Sequence, residues 1–355
     1  MHGWMKILYG VVGEGLGHAT RSHVVIEHLA RQGHDVKIVA SGKAHEYLKK
    51  NHSDIVEIGG YGFAFNESGV DLEASLRKLL SDIPEKAPHN LKHFFKLSRT
   101  FKPDAVISDF ESFAYLFGKY NHIPVISIDN MQVINRCRMN VDISLKAIDD
   151  YIMAKGLVKA KLPGCYHYLV TSFFFPEITK QDTTLHHPIL RREVLEARPR
   201  NDGHILVYQT SKSNPKLIEI LASIDEKFII YGFGRDENLG NVTLKKNSNE
   251  GFVSDLASSK AVIANAGFSL IGEALHLGKP YLALPLEKQF EQMLNAMYLK
   301  KLGYGDHCSR LTAENASAFL GRVDEFTRNL EAYPRKGNEE LLAHLDELLD
   351  ELIQQ

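Results

Sequence analysis

The chain predicts an α/β protein of two Rossmann-like, doubly wound domains facing each other across a cleft. Three observations carry that expectation. Short apolar runs alternate with amphipathic segments from Lys6 to Ile128, and the alternation restarts at His204. A charged stretch bracketed by Pro188 and Pro199 separates the two halves. At 355 residues the chain is long for one hydrophobic core. Such alternation builds a parallel sheet covered by helices on both faces, with ligands at the carboxyl ends of its strands.

In the first half, Lys6 to Val12 reads as a strand. Thr20 to Gln32 reads as a helix with Val24, Val25 and Leu29 toward the sheet, ended by Gly33-His34. Val36 to Ala40 is the second strand, and Ala44 to Asn51 is helical. Ala105 to Ser108 is a strand closing on Asp109, Ser112 to Tyr120 a helix, and Val125 to Ile128 a strand. Residues 61–100 and 131–165 are less regular and are expected to form helices and loops over the open edge of the sheet. The boundary near Pro188 gives 1–190 as the first domain and 191–337 as the second.

The second half repeats the pattern. His204 to Gln209 is a strand, Lys216 to Ser223 a helix and Lys227 to Tyr231 a strand. Ala261 to Ala264 reads as a short buried strand, Asn265-Ala266-Gly267 as a tight turn, and Phe268 to Leu277 as a helix ending at Gly278. Tyr281 to Leu284 is the next strand. Asn338 to Gln355 is an acidic amphipathic helix with leucines at 341, 342, 345, 348, 349 and 352.

Composition narrows the function classes. Hydrophobic residues make up 44% and charged residues 24%, the balance of a water-soluble globular protein. A net charge of −2 gives no reason to expect nucleic acid. Cys137, Cys165 and Cys308 are widely spaced and form no metal pattern, and their small, odd number fits a reducing cytoplasm. No apolar run reaches membrane-spanning length. Ile7 to Val12 runs into Gly13-Glu14-Gly15 without a small-residue cleavage site, as expected of a first strand rather than a signal peptide.

The turn at Asn265-Ala266-Gly267 aims the free N–H groups of the next helix out of the carboxyl end of a strand, an arrangement that attracts anions. Gly267 lets a diphosphate approach the backbone closely, and Ser269 adds a hydroxyl. Glu273 stands six residues beyond Gly267, where a carboxylate can accept both hydroxyls of a ribose. Glu291-Gln292, an acid beside an amide, suits the hydroxyls of a hexose. This ordered set points to a nucleotide-activated sugar.

Gly13-Glu14-Gly15-Leu16-Gly17-His18 follows the first strand. Its G-x-G-x-G spacing approaches a dinucleotide fingerprint, but the third glycine is not at the required place. No acidic residue ends the second strand either, where Ala40-Ser41-Gly42 stands. The alternative is a flexible, close-approach loop in which Gly17 presents His18.

From Asn265 to Ala296 the chain resembles the donor-site signature of two-domain glycosyltransferases of the GT-B fold. The relatives in view are the bacterial N-acetylglucosaminyltransferase of peptidoglycan synthesis and the UDP-glycosyltransferases of plants and animals. The resemblance implies that Glu273 binds ribose and that Glu291 and Gln292 contact the sugar. It implies that His18 deprotonates the acceptor hydroxyl, a task suited to a group with a pKa near neutrality. Pro103-Asp104-Ala105-Val106-Ile107-Ser108-Asp109 matches the family's P-D-x-x-x-x-D, and implies Asp109 as the partner that orients His18. Thr210 and Ser211, after the first strand of the second domain, are implied to reach the diphosphate, and Phe252 to stand where relatives hold the uracil. The C-terminal helix 338–355 is implied to cross back to the first domain. The chain departs from the family at Asn265, often His or Arg there, and at Leu270, often Ser.

The expectation is an inverting, metal-independent transfer from a nucleotide-sugar donor, of the UDP type, to a small-molecule or lipid-linked hydroxyl acceptor, with no cofactor. Glu14 and Glu111 stay open as substitutes for the base. A nucleotide-sugar hydrolase or epimerase on the same fold and a non-catalytic nucleotide-sugar-binding protein also stay open. Lys146, Lys155, Lys159 and Lys161 lie among apolar residues and Phe173-Phe174-Phe175 follows, so peripheral docking on the inner face of a membrane is a further expectation.

Overall fold

The computed structural model describes residues 3–60, 64–65, 70–145, 147–209, 216–246 and 248–354, with backbone alone for 64–65 and 70–85. In chain order the first strands are β1 (Lys6–Val11), β2 (Asp35–Ala40), β3 (Ile55–Glu57), β4 (Ala64–Phe65), β5 (Val70–Asp71), β6 (Ala105–Asp109), β7 (Val125–Asp129), β8 (His167–Thr171) and β9 (Thr183–His186). Seven form one sheet in the order β3-β2-β1-β6-β7-β8-β9, while β4 and β5 pair with each other. Next come β10 (His204–Tyr208), β11 (Lys227–Tyr231), β12 (Glu237–Leu239), β13 (Val242–Lys245), β14 (Ala261–Ala264), β15 (Tyr281–Ala283) and β16 (Gly305–His307). They form the second sheet, β12-β13-β11-β10-β14-β15-β16. Both sheets are parallel apart from β12, which runs against β13.

The central strands are apolar on both faces because helices cover both. Ile7, Leu8, Tyr9 and Val11 of β1 are all buried, as are all four residues of β14. Strand order reverses between β1 and β6, where Val11 pairs with Asp109, and between β10 and β14, where Tyr208 pairs with Ala264. Each reversal leaves a crevice beyond the strand ends, and the site is built there.

The C-terminal helix Glu339–Ile353 lies on the first sheet. Its Leu341, Leu345, Leu348 and Leu349 share a core with Ile7, Tyr9 and Leu29. His28 Nε2 meets both Asp346 oxygens at 2.9 Å, fixing the helix to Leu16–Arg31. The chain passes between the sheets at Leu190 and again at Asn338. There Leu190 N donates to Asn338 Oδ1 at 2.8 Å, and Asn338 Nδ2 donates to Leu190 O at 2.7 Å. The stretch after Pro199 is fastened to the second half: Arg200 N donates to Ala257 O and Asp202 N to Ser258 O. Lys279 Nζ donates to Arg200 O at 2.6 Å and Ser259 O at 2.8 Å, and burial pushes this ammonium down to about 8.

Several sequence expectations are corrected. The first helix runs from Leu16 to Arg31, so His18 sits in its opening turn and not in a flexible loop. Gly15, with φ 76°, makes the sharp entry. The helices expected within 61–100 and 131–165 are present, as a 29-residue helix, Leu72–Thr100, and a second one, Ile148–Lys161. Phe173 and Phe174 are buried and not part of an exposed apolar surface. Phe174 stacks on Tyr298 of helix Phe290–Lys301, ring centroids 3.7 Å apart and planes 6° apart, which joins the two halves.

Candidate functional site

Asp109 ends β6 with no exposure to solvent, and it organises the first half of the site. His18, Arg21 and Ser22 lie three and four positions apart on helix Leu16–Arg31, so one face presents all three to that carboxylate. His18 Nδ1 lies 2.8 Å from Asp109 Oδ1, Arg21 Nε donates to Oδ2 at 2.8 Å, and Ser22 Oγ donates to Oδ2 at 2.8 Å. Arg21 Nη2 donates to Oδ1 at 2.5 Å. Burial alone would raise the Asp109 carboxyl, but the charges of Arg21 and His18 and their hydrogen bonds hold it well below the usual carboxylate range. The His18 side chain keeps 20% exposure, and its polar contacts are all made through Nδ1, so Nε2 is the ring nitrogen without a partner among the described residues.

The backbone beside this cluster is strained. Phe110, directly after Asp109, has φ 52°, a left-handed conformation that costs a non-glycine residue energy and is held by its surroundings. Glu111 caps helix Ser112–Tyr120, accepting from Phe113 N at 2.8 Å and Ala114 N at 2.7 Å. Its carboxylate is committed to that cap, which weighs against Glu111 as a substitute base. Lys161 is turned inward, its Nζ 4.0 Å from the centre of the Phe110 ring, and burial lowers its pKa.

The second half of the site starts at β14. Gly267 precedes helix Phe268–His276 with no side-chain cap, and a Cβ built there would meet nothing within 4 Å. Space for a ligand therefore adjoins free helix N–H groups. Asn265, half-buried, gives its carbonyl to the Tyr281 hydroxyl at 2.6 Å. A Cβ on Gly17 would lie 2.6 Å from Ser269 Oγ, so glycine lets the two helix N-termini meet across the cleft. Two positive dipole ends converge there.

Glu273 is buried and is not left open. Arg191 grips it with Nε on Oε1 at 2.7 Å and Nη2 on Oε2 at 2.9 Å. Each carboxylate oxygen keeps a lone pair after that bidentate bond. Glu291 Oε1 accepts from Asn130 Nδ2 at 2.8 Å, a bond between the halves, and lies 3.4 Å from Asn295 Nδ2. Gln292 is turned into its own loop, with Nε2 on Gln289 Oε1 at 2.6 Å and Oε1 on Leu286 N at 3.1 Å. Phe252 packs edge-on against Tyr208 and Tyr231, ring centroids 5.4 and 5.1 Å away. Thr210 and Ser211 lie outside the described residues, as does Lys146.

The fold thus gathers His18, Asp109, Gly17, Ser269 and Glu291 around one crevice. Arg21, Asn130 and Arg191 were missed by sequence reasoning. For Arg21 a signal existed, since it follows His18 by three residues on one helix. A cavity of about 1480 Å³ opens beside the crevice, lined by Leu16, Tyr47, Arg191 and Asn249 among others. It does not reach His18 or Ser269, and it flanks the Arg191–Glu273 pair.

Comparison with known proteins agrees with this architecture. The family described as Glycosyl transferase family 1 matches residues 5–324. An uncharacterized glycosyltransferase of Methanosarcina acetivorans is 28% identical over 327 residues, covering 85% of each chain. A Clostridium botulinum protein, UDP-N-acetylglucosamine--N-acetylmuramyl-(pentapeptide) pyrophosphoryl-undecaprenol N-acetylglucosamine transferase, is 27% identical over 333 residues, covering 84% of this chain and 85% of the relative. The solved calicheamicin glycosyltransferase CalG4 superposes with a TM-score of 0.65 over 99% of this chain and 98% of its own, at 16% identity. At that identity the likeness speaks for the fold, which is GT-B.

Proposed function

The chain belongs to glycosyl transferase family 1 and is a nucleotide-sugar glycosyltransferase of the GT-B fold, and from that premise we propose an inverting, metal-independent transfer from a UDP-sugar to a hydroxyl on a lipid-linked acceptor. The observation that carries the reading is the His18–Asp109 contact of 2.8 Å at the strand-order reversal, facing a helix N-terminus of the other domain. His18 is the general base. Asp109 holds its Nδ1–H, Nε2 takes the acceptor proton, and the carboxylate stabilises the imidazolium that forms. The acceptor oxygen attacks the anomeric carbon from the face opposite the departing diphosphate, which inverts that centre.

The leaving diphosphate gathers negative charge. It is placed at the convergent N-termini of Leu16–Arg31 and Phe268–His276, with Ser269 as a hydroxyl donor. Two aligned helix ends supply positive potential of the kind a metal ion would otherwise provide. Glu273 takes the ribose hydroxyls on its remaining lone pairs while Arg191 fixes the orientation of its carboxylate. Glu291 reads the sugar. The base lies against Phe252, and Asn265, Gly267, Thr210 and Ser211 complete the donor site. Asn140, Tyr151 and Phe174 of the first half meet Tyr298 and Phe290 of the second, contacts suited to forming on closure.

The domains divide near Leu190 and Asn338, with 191–337 holding the donor and the first domain the acceptor. The exposed apolar face of helix Ile148–Lys161, namely Ile152, Met153 and Leu157, extends through Leu145 and adjoins exposed Lys159. It is suited to a shallow seat on an anionic bilayer that carries the acceptor. Among the described residues no helix is long and apolar enough to cross a membrane.

Calorimetric titration with UDP, UDP-glucose and UDP-N-acetylglucosamine, on wild type and Glu273→Ala, tests the donor reading. Binding in the wild type that the substitution abolishes supports it. Binding of dTDP- or GDP-sugars instead would reassign the nucleotide, and equal binding by both proteins would remove Glu273 from the site. Product analysis of the anomeric configuration decides inversion. Release of free sugar without any acceptor requirement would favour a hydrolase.

A further inference from the structure

A hydrogen-bonded chain runs from the catalytic dyad into the other domain. Arg21 Nη1 donates to Asn130 Oδ1 at 2.7 Å, and Asn130 Nδ2 donates to Glu291 Oε1 at 2.8 Å. The same guanidinium holds Asp109 through Nε and Nη2. Arg21 and Asn130 are each 4% exposed, so a broken link is not readily replaced by water.

Around His18 the geometry forces a choice. Arg21 Nη2 lies 2.7 Å from His18 Nδ1, while Asp109 Oδ1 lies 2.8 Å from the same nitrogen. A guanidinium nitrogen only donates and a carboxylate oxygen only accepts. Nδ1 satisfies the first as an acceptor and the second as a donor, never both at once. The seat of the guanidinium therefore selects the tautomer. With Nδ1–H on Asp109, Nε2 carries the free lone pair. With Nδ1 accepting from Arg21, the proton sits on Nε2, and that nitrogen cannot take another from an acceptor hydroxyl.

We propose that Asn130 is a positioning residue that couples the donor sugar on Glu291 to the tautomer of His18, acting through Arg21. This rests on the reading of His18 as the base and Glu291 as the sugar's acid. Glu291 Oε2 makes no hydrogen bond among the described residues, so a sugar hydroxyl can take it while Oε1 keeps Asn130. With Glu291 Oε2 unbonded the chain to Arg21 is made and Nη2 still lies 2.7 Å from Nδ1, so the sugar must add a pull. By fixing Glu291 it draws Asn130 and Nη1 with it, lengthens the Nη2–Nδ1 contact and leaves the His18 proton on Nδ1. Without the sugar the guanidinium rests against Nδ1, as it does here, and the base is switched off. Activation of the acceptor then waits for the donor.

The test uses the full chain labelled with ¹⁵N-histidine, with the His18 signals assigned from His18→Gln. The ring-nitrogen shifts report the tautomer as UDP, UDP-glucose or UDP-N-acetylglucosamine is added, and calorimetry follows binding in parallel. In the wild type a bound UDP-sugar raises the ratio of Nδ1–H to Nε2–H at least about fivefold, and UDP alone does not. Asn130→Asp keeps an oxygen for Arg21 but sets a carboxylate against Glu291, and it abolishes the response, as does Asn130→Ala. Both variants lower kcat by about 10- to 100-fold with the donor KM within about threefold. A tautomer that follows the sugar in Asn130→Asp as in the wild type overturns the coupling and leaves His18 standing as the base. A wild-type tautomer indifferent to a sugar that calorimetry shows to be bound overturns it equally. Absence of binding by every nucleotide sugar overturns the functional reading, and the coupling with it.

Discussion

Arg191 and Glu273 form a largely buried two-pronged ion pair, with side chains 14% and 8% exposed, between the stretch joining the domains and helix Phe268–His276. Neither charge has enough water to be replaced cheaply. Arg191→Ala leaves an unpaired carboxylate and is expected to lower stability by about 3 kcal/mol, more than its role in orientation alone would suggest. Chemical denaturation of Arg191→Ala, Glu273→Ala and the double variant measures the coupling. Additive losses would show the pair to be energetically idle.

His18→Ala is expected to reduce kcat by about 10²- to 10⁴-fold, the usual worth of a positioned proton acceptor, with little change in nucleotide affinity. Steady-state kinetics and UDP titration on the same preparation separate the two. A variant that keeps full kcat would move the base elsewhere, to Glu14 first.

The Asp109 carboxyl also makes stability depend on acidity. Its folded pKa is depressed, so the unfolded chain binds the proton first as pH falls. The stabilisation is complete above about pH 4, near the free carboxyl value, and is lost progressively below it. Unfolding midpoints at neutral pH and at pH 3 to 5 are expected to fall steeply in the wild type and less steeply in Asp109→Asn. That variant starts from a lower stability, because Arg21 loses its counter-ion.

A second acid-sensitive group lies where the C-terminal helix docks. His186 is pushed down to about 4, chiefly by burial and then by neighbouring His344, with His167 and His187 adding to the effect and Glu340 opposing it. His344 Nδ1 lies 3.2 Å from His186 Nε2, and the Thr184 hydroxyl lies 2.9 Å from His186 Nε2. The folded state resists this proton while the unfolded chain accepts it near pH 6.5, so stability rises with pH between about 4 and 6.5. Acidification across that window is expected to cost up to about 3 kcal/mol, and His186→Gln should flatten the dependence. Melting curves at pH 7 and 5 check it.

The face formed by Ile152, Met153 and Leu157 is expected to bind vesicles containing phosphatidylglycerol, with salt weakening the attachment. Ile152→Asp with Leu157→Glu should abolish co-sedimentation while leaving transfer to a water-soluble acceptor intact. Unchanged sedimentation would place the contact elsewhere or remove it.

Local sequence made much of this fold legible. β1, β6, β10 and β14 are apolar runs bounded by turn residues, and their order alone indicates two crevices. The Gly17-His18 and Asp109 signals led to atoms 2.8 Å apart from positions 91 residues distant. What stayed hidden depends on partners far along the chain. An arginine at position 21 reads as solvent-facing until Asp109 and Asn130 are placed around it. Arg191 read as linker charge, and Thr183–His186 is too polar to announce itself as an edge strand. Phe173 and Phe174 looked like a surface patch because a seam between domains has no local pattern of its own.

The paired hydrogen bonds between Leu190 and Asn338 set both passages of the chain side by side, while the C-terminal leucines belong to the core of the first sheet. Topologically, the second half is therefore an insertion into the first, entering and leaving through one doorway. Residues 191–337 can be lifted out as a cassette whose ends already meet. Exchange of that segment keeps both crossings only where Leu190 and Asn338 travel as a matched pair.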